Sequence, residues 1–527
     1  MVDVRTPYAV HQVPRRRTTA AVAVGVAALL VLAACSGSSP KRSSAPAPSH
    51  SATPPAAPTA PPSATPPAGS AAVALAWHSC ESGFSCATMT VPLDRAHPES
   101  GTVDIAVTRR AAPDAATRLG SLLVNPGGPG ASAIGFLQSS WRDLPDAVRS
   151  RFDLVAFDPR GVGRSAPVTC LSTAELDAYF ALDPSPDTPA ELQALEAGGQ
   201  RFSAGCQAQS RRLLPHVSTE DAARDMDVLR ASLGDAGLTY LGYSYGTSIG
   251  AEYLRLFPTR VRAMVLDGAI DPALTWDQEL EGQSKGFDVA LQAFLTDCQA
   301  TTCAFRRAVK GDLGAAFDAL AARVDRSPLT GKGARTVGPG EFTLGVGATL
   351  YDRTDGWPVL AEALRRAEGG DGQLLLALSD SYLERGPNGY SNESEANAAV
   401  NCIDRPWPRD PAPYLALAER VKATAPRFGP EIALSGLGCA SWPVPPVSTP
   451  KPVRAEGAPP VVVIGTTRDP ATPYAWAQAL AHELASGVLF THEGDGHTAY
   501  RTSAPACLRD PVDAYLLTAE APAPLTC

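Results

Sequence analysis

Three things are missing from these 527 residues, and each absence narrows the function. There is no basic stripe. The formal charge is −9, and because the first 34 residues hold four Arg and one Asp, the remainder sits near −12 (−9 minus +3). A nucleic-acid surface needs clustered Lys and Arg to displace counterions, so that class is argued against. There is also no long apolar run. The stretch from Ala20 to Ala34 falls short of the roughly 20 residues a membrane span requires. Finally, the 11 cysteines include no paired C-x-x-C and have no histidines beside them, which argues against a metal site. No motif implies a cofactor.

What is present begins with an export signal. Arg15-Arg16-Arg17 precede the apolar run, and Leu32-Ala33-Ala34-Cys35 closes it in the manner of a bacterial lipoprotein processing site. Cleavage there would leave Cys35 as an acylated N-terminus on an extracytoplasmic, membrane-anchored protein, with simple secretion as the alternative. Arg15-Arg16 also raises a twin-arginine route, although the residues that follow fit it poorly. The segment 35–72 is rich in Ser, Ala, Pro and Thr and reads as an extended linker. Ten cysteines remain beyond it, and in an oxidising compartment they are expected as disulfides. Neighbours in the chain close loops at the lowest entropic cost: Cys80 with Cys86, Cys170 with Cys206, Cys298 with Cys303, Cys402 with Cys439, and Cys507 with Cys527.

With 44% hydrophobic residues the rest can bury a large core. Cys86–Val91 and Thr102–Val107 suggest an antiparallel pair. Apolar runs at Ser121–Val124, Phe152–Phe157, Leu238–Leu241, Val261–Leu266, Val461–Ile464 and Gly487–Phe490 read as parallel strands, several ending in glycine-bearing loops. A helix is expected over Thr219–Gly234, capped by Thr219 and Gly234, and another from Pro473 to Leu484. Eight strands alternating with helices define a doubly wound α/β layer, 73–275 and 438–527. Residues 276–437 interrupt it between the sixth and seventh strands, and helical spacing (Leu313, Phe317, Leu320, Val324) makes this insert a mainly helical cap.

The chemistry centres on Gly242-Tyr243-Ser244-Tyr245-Gly246, a G-x-S-x-G between a strand and a helix. A serine needs a base, and the base needs an orienting acid. His497 follows the last strand in a glycine-bearing loop, whereas His492 sits nearer the strand and reads as a packed or surface residue. Asp469 follows the seventh strand and gives the chain order Ser, Asp, His. Asp267 is the alternative acid, Asp495 lies too close in sequence to His497, and Asp158 and Asp267 read as loop braces. Backbone donors for an oxyanion are expected from Tyr245 and from the Asn125–Gly130 loop at Gly128.

Four motifs occur in order: Asn125-Pro-Gly-Gly-Pro-Gly130, Asp158-Pro-Arg-Gly-Val-Gly-Arg-Ser165, Gly242-Tyr-Ser-Tyr-Gly-Thr247 and Arg468-Asp-Pro-Ala-Thr-Pro473. Together they resemble the secreted tripeptidyl aminopeptidases of actinomycetes, α/β-hydrolase serine exopeptidases related to prolyl aminopeptidases. The resemblance runs from about Val73 to Cys527 and departs from it at Ala131-Ser132-Ala133. It implies an α/β-hydrolase fold, a Ser244, Asp469, His497 triad, and oxyanion donors at Gly128 and Tyr245. It further implies that short peptides are released from a free N-terminus. Such an enzyme must hold a protonated amine, and cap carboxylates are expected to do so, with Glu395 and Asp404 nominated. Peptides with a free N-terminus are the expected partners, the membrane is reached by the lipid anchor alone, and a monomer is expected. The alternatives are a carboxylesterase acting on small or lipid esters and a binding protein that kept the fold without activity.

Overall fold

Apolar runs with no polar alternation become strands buried on both faces, and these residues build one sheet of ten strands. The computed structural model describes residues 71–527; the signal-like segment, Cys35 and nearly all of the linker lie outside the described residues. The strands are β1 (His78–Ser79), β2 (Ser85–Pro92), β3 (Thr102–Arg110), β4 (Gly120–Asn125), β5 (Phe152–Phe157), β6 (Leu238–Tyr243), β7 (Val261–Asp267), β8 (Val461–Arg468), β9 (Gly487–Asp495) and β10 (Leu525–Thr526). Their order is β1-β2-β3-β5-β4-β6-β7-β8-β9-β10. β3 runs antiparallel to both its neighbours, β1 is antiparallel to β2, and every pairing from β5 to β10 is parallel. The eight strands expected from the sequence are β2 to β9. β1 and β10 extend the sheet by two residues at each edge, too few to carry a sequence period.

Period-two alternation sorts the side chains between the two faces. Leu123, Tyr240, Val461 and Val463 pack into one apolar cluster, and Leu122, Leu241, Val462 and Ile464 into the other. Full burial stabilises such a side chain by about 1.5–3 kcal/mol, which fixes the register of the strands and hence the position of the loops at their ends.

One covering helix is Thr219–Ser232, and its N-cap is Ser218, not Thr219. Ser218 Oγ accepts the Asp221 N–H at 3.1 Å, which frees the Thr219 hydroxyl for a contact described below. Gly234, at φ 79°, follows the last turn as expected.

The chain between β7 and β8 forms the helical cap. Its helices include Trp276–Thr301, Leu313–Arg326, Pro339–Leu350, Gly356–Glu368, Gln373–Tyr382, Glu393–Asp404 and Ala412–Lys422. Leu313, Phe317, Leu320 and Val324 are buried on one face and join Leu291, Phe294, Leu360 and Leu364 in a cluster separate from the sheet. Two short hairpins, Leu329–Thr330 with Thr336–Val337 and Arg385–Gly386 with Gly389–Tyr390, interrupt the helices.

All ten cysteines of the described residues pair as neighbours in the chain: Cys80–Cys86, Cys170–Cys206, Cys298–Cys303, Cys402–Cys439 and Cys507–Cys527. Five disulfides belong to an oxidising, extracytoplasmic setting. Among the described residues no helix is long and apolar enough to cross a membrane.

Candidate active site

Ser244 stands at the turn between β6 and the helix Tyr245–Leu256, with φ 53° and ψ −127°. For a non-glycine residue such a backbone costs about 1–3 kcal/mol and persists only where its surroundings over-determine it. They do so here. The Ser244 N–H donates to Asp267 O at 2.9 Å, and the Ser244 carbonyl accepts from the Thr247 N–H at 2.8 Å and the Thr247 hydroxyl at 2.6 Å. Gly242 is obligatory because a Cβ there would lie 2.5 Å from Gly246 O.

The Asn125–Gly130 loop lies directly against this turn. A Cβ on Gly127 would come within 2.8 Å of both Ser244 Cβ and Tyr245 N, so only glycine allows the approach. The loop is held by Gly127 N–H donating to Asn125 Oδ1 at 2.9 Å and by Asn397 of the cap donating to Pro129 O at 3.0 Å. Gly128, Ser244 and Tyr245 line one wall of a cavity of about 590 Å³ between sheet and cap.

His497 and Asp469 meet as expected. Nδ1 lies 2.9 Å from each carboxylate oxygen of Asp469, and both side chains are buried. A carboxylate only accepts, so Nδ1 carries the hydrogen and Nε2 is left as the basic lone pair. Nε2 is buried and has no partner among the described residues. Asp469 is in turn fixed by the amides of Ala471 (2.9 Å) and Thr472 (2.8 Å). The imidazole reaches the corner that holds Ser244: a Cβ on Gly268, the residue after the acceptor of the Ser244 N–H, would lie 3.0 Å from His497 Cε1. The cap contributes as well, since Tyr351 O accepts the His497 N–H at 2.8 Å and the Tyr351 ring stands edge-on to the imidazole at 5.2 Å.

The other acids fall into bracing roles. Asp267 accepts from the amides of Ala499 (2.9 Å) and Tyr500 (2.7 Å), and burial pushes its pKa up to about 6. Asp158 holds Ser132 Oγ and the amides of Ile134 and Arg164. Asp495 pairs with Arg468 and Arg353. His492 is half-buried on β9, against Gly494.

The cap carboxylates require a correction. Glu395 does not face the cavity: its Oε1 accepts from the amides of Cys170 and Leu171, on the far side of the helix Glu393–Asp404. At 100° per residue, position 395 lies about 200° from 393. The face lining the cavity is instead Glu393, Asn397, Asn401 and Asp404. That helix is clamped at its start by Asn392, whose Nδ2 donates to Gly161 O (2.8 Å) and Val168 O (3.0 Å) and whose Oδ1 accepts the Gly163 N–H (2.8 Å). Cys402–Cys439 clamps its end. Asp404 does line the cavity, but both its oxygens already accept from Thr219.

Five glutamates outside the expected set line the same cavity; Glu220, Glu252 and Glu279 are paired with arginines, and Glu393 and Glu431 are not paired with a cation among the described residues. Burial, and then the adjoining Glu384 carboxyl, holds the Glu393 pKa well above the usual range; its Oε2 has no donor among the described residues. Glu431 is pushed up to about 8 by burial. Burial holds the Tyr382 phenol above its usual pKa, and the Glu393 and Glu431 carboxyls add to the rise. A helical phase assigned to residues 393–404 would have separated Glu393 from Glu395; nothing local marks Glu431.

No hydrogen bond joins His497 Nε2 to Ser244 Oγ in this structure; a serine on a strained turn, a buried histidine–aspartate pair and nearby backbone amides are the groups that acyl transfer uses. Residues 120–323 match the family model described as alpha/beta hydrolase fold, and residues 425–527 match the one described as TAP-like protein. Serine protease Hip1 of Mycobacterium tuberculosis is 37% identical over 474 residues, covering 85% of this chain and 89% of that relative. Carboxylesterase B of the same organism is 37% identical over 442 residues, covering 80% and 84%. The tripeptidyl aminopeptidase of Streptomyces lividans is 33% identical over 473 residues, covering 85% of each. The chain therefore belongs to the TAP-like family of α/β hydrolases and is a serine hydrolase.

Proposed function

We propose that this protein is an extracytoplasmic serine aminopeptidase that releases short peptides, tripeptides first among them, from free N-termini. Ser244 Oγ attacks the scissile carbonyl while His497 Nε2 takes its proton, and Asp469 stabilises the imidazolium. The Gly128 and Tyr245 amides receive the developing oxyanion. His497 then returns the proton to the departing amine, and water attacks the acyl-enzyme with the same base. Glu393 and Glu431, not Glu395, hold the substrate ammonium.

The observation that carries the peptidase reading is the pair of glutamates on the cavity wall, neither of which is paired with a cation among the described residues. Burying carboxyls is costly unless something compensates them. Protonation does so in the free protein and a peptide ammonium does so in the complex, whereas a neutral ester offers no such partner. Assays of a tripeptidyl anilide, its N-acetyl counterpart and a short acyl ester test this. Acetylation is expected to cut kcat/KM at least about a hundredfold, the scale of losing one buried charge-assisted pair. Equal turnover of the blocked anilide together with faster ester cleavage would establish the carboxylesterase alternative.

A pH dependence follows. Glu431, raised to about 8, is neutral below that pH, whereas the peptide amine is protonated below about 7.7–8.0. Ammonium binding needs the first ionised and the second charged, so KM falls by up to about tenfold per unit as pH rises toward 7 and passes through a minimum near 8. Glu431→Gln is expected to remove the acid-side fall; an unchanged KM profile in that variant would exclude Glu431 from the amine site.

A further inference from the structure

The cap touches the nucleophile turn through a chain of three side chains. Asp404, at the end of the helix Glu393–Asp404, accepts the Thr219 N–H at 2.9 Å on one carboxylate oxygen and the Thr219 hydroxyl on the other. The Thr219 oxygen in turn meets the phenol of Tyr245. Thr219 has one hydroxyl hydrogen, and it goes to the carboxylate, so the Tyr245 O–H must donate to Thr219. The direction of all the hydrogens is therefore set, each link supporting the next.

We propose that Asp404 and Thr219 are positioning residues for the reaction, holding Tyr245 so that its backbone N–H stays aimed at the developing oxyanion. Tyr245 is the first residue of the nucleophile helix and follows the strained Ser244 directly. Its amide is packed against Gly127, and its ring is tethered at the far end by Thr219. With both ends of the residue fixed, the backbone at the turn cannot relax toward ordinary dihedrals. Strain of this kind survives only under such restraint, and oxyanion donors lose effect when they move by fractions of an ångström. The arrangement also explains the identity of Thr219: Ser218 already caps the helix, so the Thr219 hydroxyl is available to the relay. Because Asp404 belongs to the cap and Thr219 and Tyr245 to the core, the relay makes the seating of the cap a condition of full activity.

The proposal rests on Ser244 being the nucleophile, and the variants separate the two ideas. Full-length Thr219→Val, Thr219→Ser, Asp404→Asn and Tyr245→Phe are compared with the parent and with Ser244→Ala, reading kcat and KM for a tripeptidyl anilide alongside thermal unfolding. Thr219→Val, Asp404→Asn and Tyr245→Phe are each expected to lower kcat about tenfold with KM within about twofold, the cost of one charge-linked hydrogen bond expressed only in the transition state. Thr219→Ser keeps the hydroxyl and is expected to recover kcat to within about twofold of the parent. Parental kcat in both Asp404→Asn and Tyr245→Phe, while Ser244→Ala is inactive, would overturn the relay alone. So would a Thr219→Ser variant as impaired as Thr219→Val, since packing of the methyl group would then be the cause. Should Thr219→Val fold poorly, Asp404→Asn and Tyr245→Phe, which keep the side-chain volumes, decide the question.

Discussion

Ser244→Ala is expected to fold like the parent and to lose hydrolysis, with kcat falling by on the order of 10⁶. The fold should survive because the turn is held by the backbone of residue 244. Its N–H and carbonyl make the bonds to Asp267 and Thr247, and neither involves Oγ. Alanine meets the same positive φ that serine already tolerates, so the substitution adds no new strain. What disappears is the nucleophile. His497, with no hydroxyl to deprotonate, retains only the ability to assist water. Steady-state turnover of a tripeptidyl anilide, read beside the thermal midpoint, checks both halves. Unchanged turnover would remove Ser244 from the reaction, and a collapsed midpoint would mean that Oγ has a structural task unseen in the hydrogen bonding.

Asp469→Asn carries the second large effect. Its amide oxygen can still accept from Ala471 and Thr472, so the loop is expected to stand. Toward His497, however, the change inverts the hydrogen bond. An amide NH₂ facing Nδ1 requires Nδ1 to be the acceptor, which moves the ring proton to Nε2 and leaves no base for the serine. A fall in kcat of about 10⁴ is expected, with little change in KM. Asp469→Ala would be a poorer probe, because two loop amides would lose their acceptor together with the histidine. Activity within tenfold of the parent in the Asn variant would transfer the orienting role to another acid. Asp267, the alternative acid, has its carboxylate engaged by the Ala499 and Tyr500 amides.

The residues divide sharply in how much they disclose before folding. Strands such as Phe152–Phe157 and Val461–Ile464 announce themselves because a run buried on both faces needs no partner to be recognised. Ser244, Asp469 and His497 are legible for a related reason: each follows a strand, and parallel strands deliver their following loops to one edge. The disulfides follow from chain proximity. The cap side of the cavity was much less open. Glu393 and Glu395 have the same local composition, and only the rotational phase of their helix, fixed by Asn392 and Cys402, turns one toward the cavity and the other toward Cys170. Thr219 reads as a cap because a threonine before a helix commonly is one; the serine one position earlier takes that role. Composition alone nominates Asp404 to face a substrate amine, and its oxygens turn instead to a threonine 185 residues away in sequence. Contacts between two packed layers depend on how those layers seat, which no local pattern encodes.

The proposed mechanism requires His497 to activate one hydroxyl, Ser244 Oγ, at the corner where the sheet, the Asn125–Gly130 loop and the cap meet. Reaction with a fluorophosphonate followed by peptide mass spectrometry tests it most directly, since such a reagent phosphonylates only a serine that a neighbouring base has activated. A single stoichiometric adduct is expected, located on Ser244 and absent from Ser244→Ala and from His497→Ala. Labelling at a different residue, or undiminished labelling of Ser244 without His497, would contradict it.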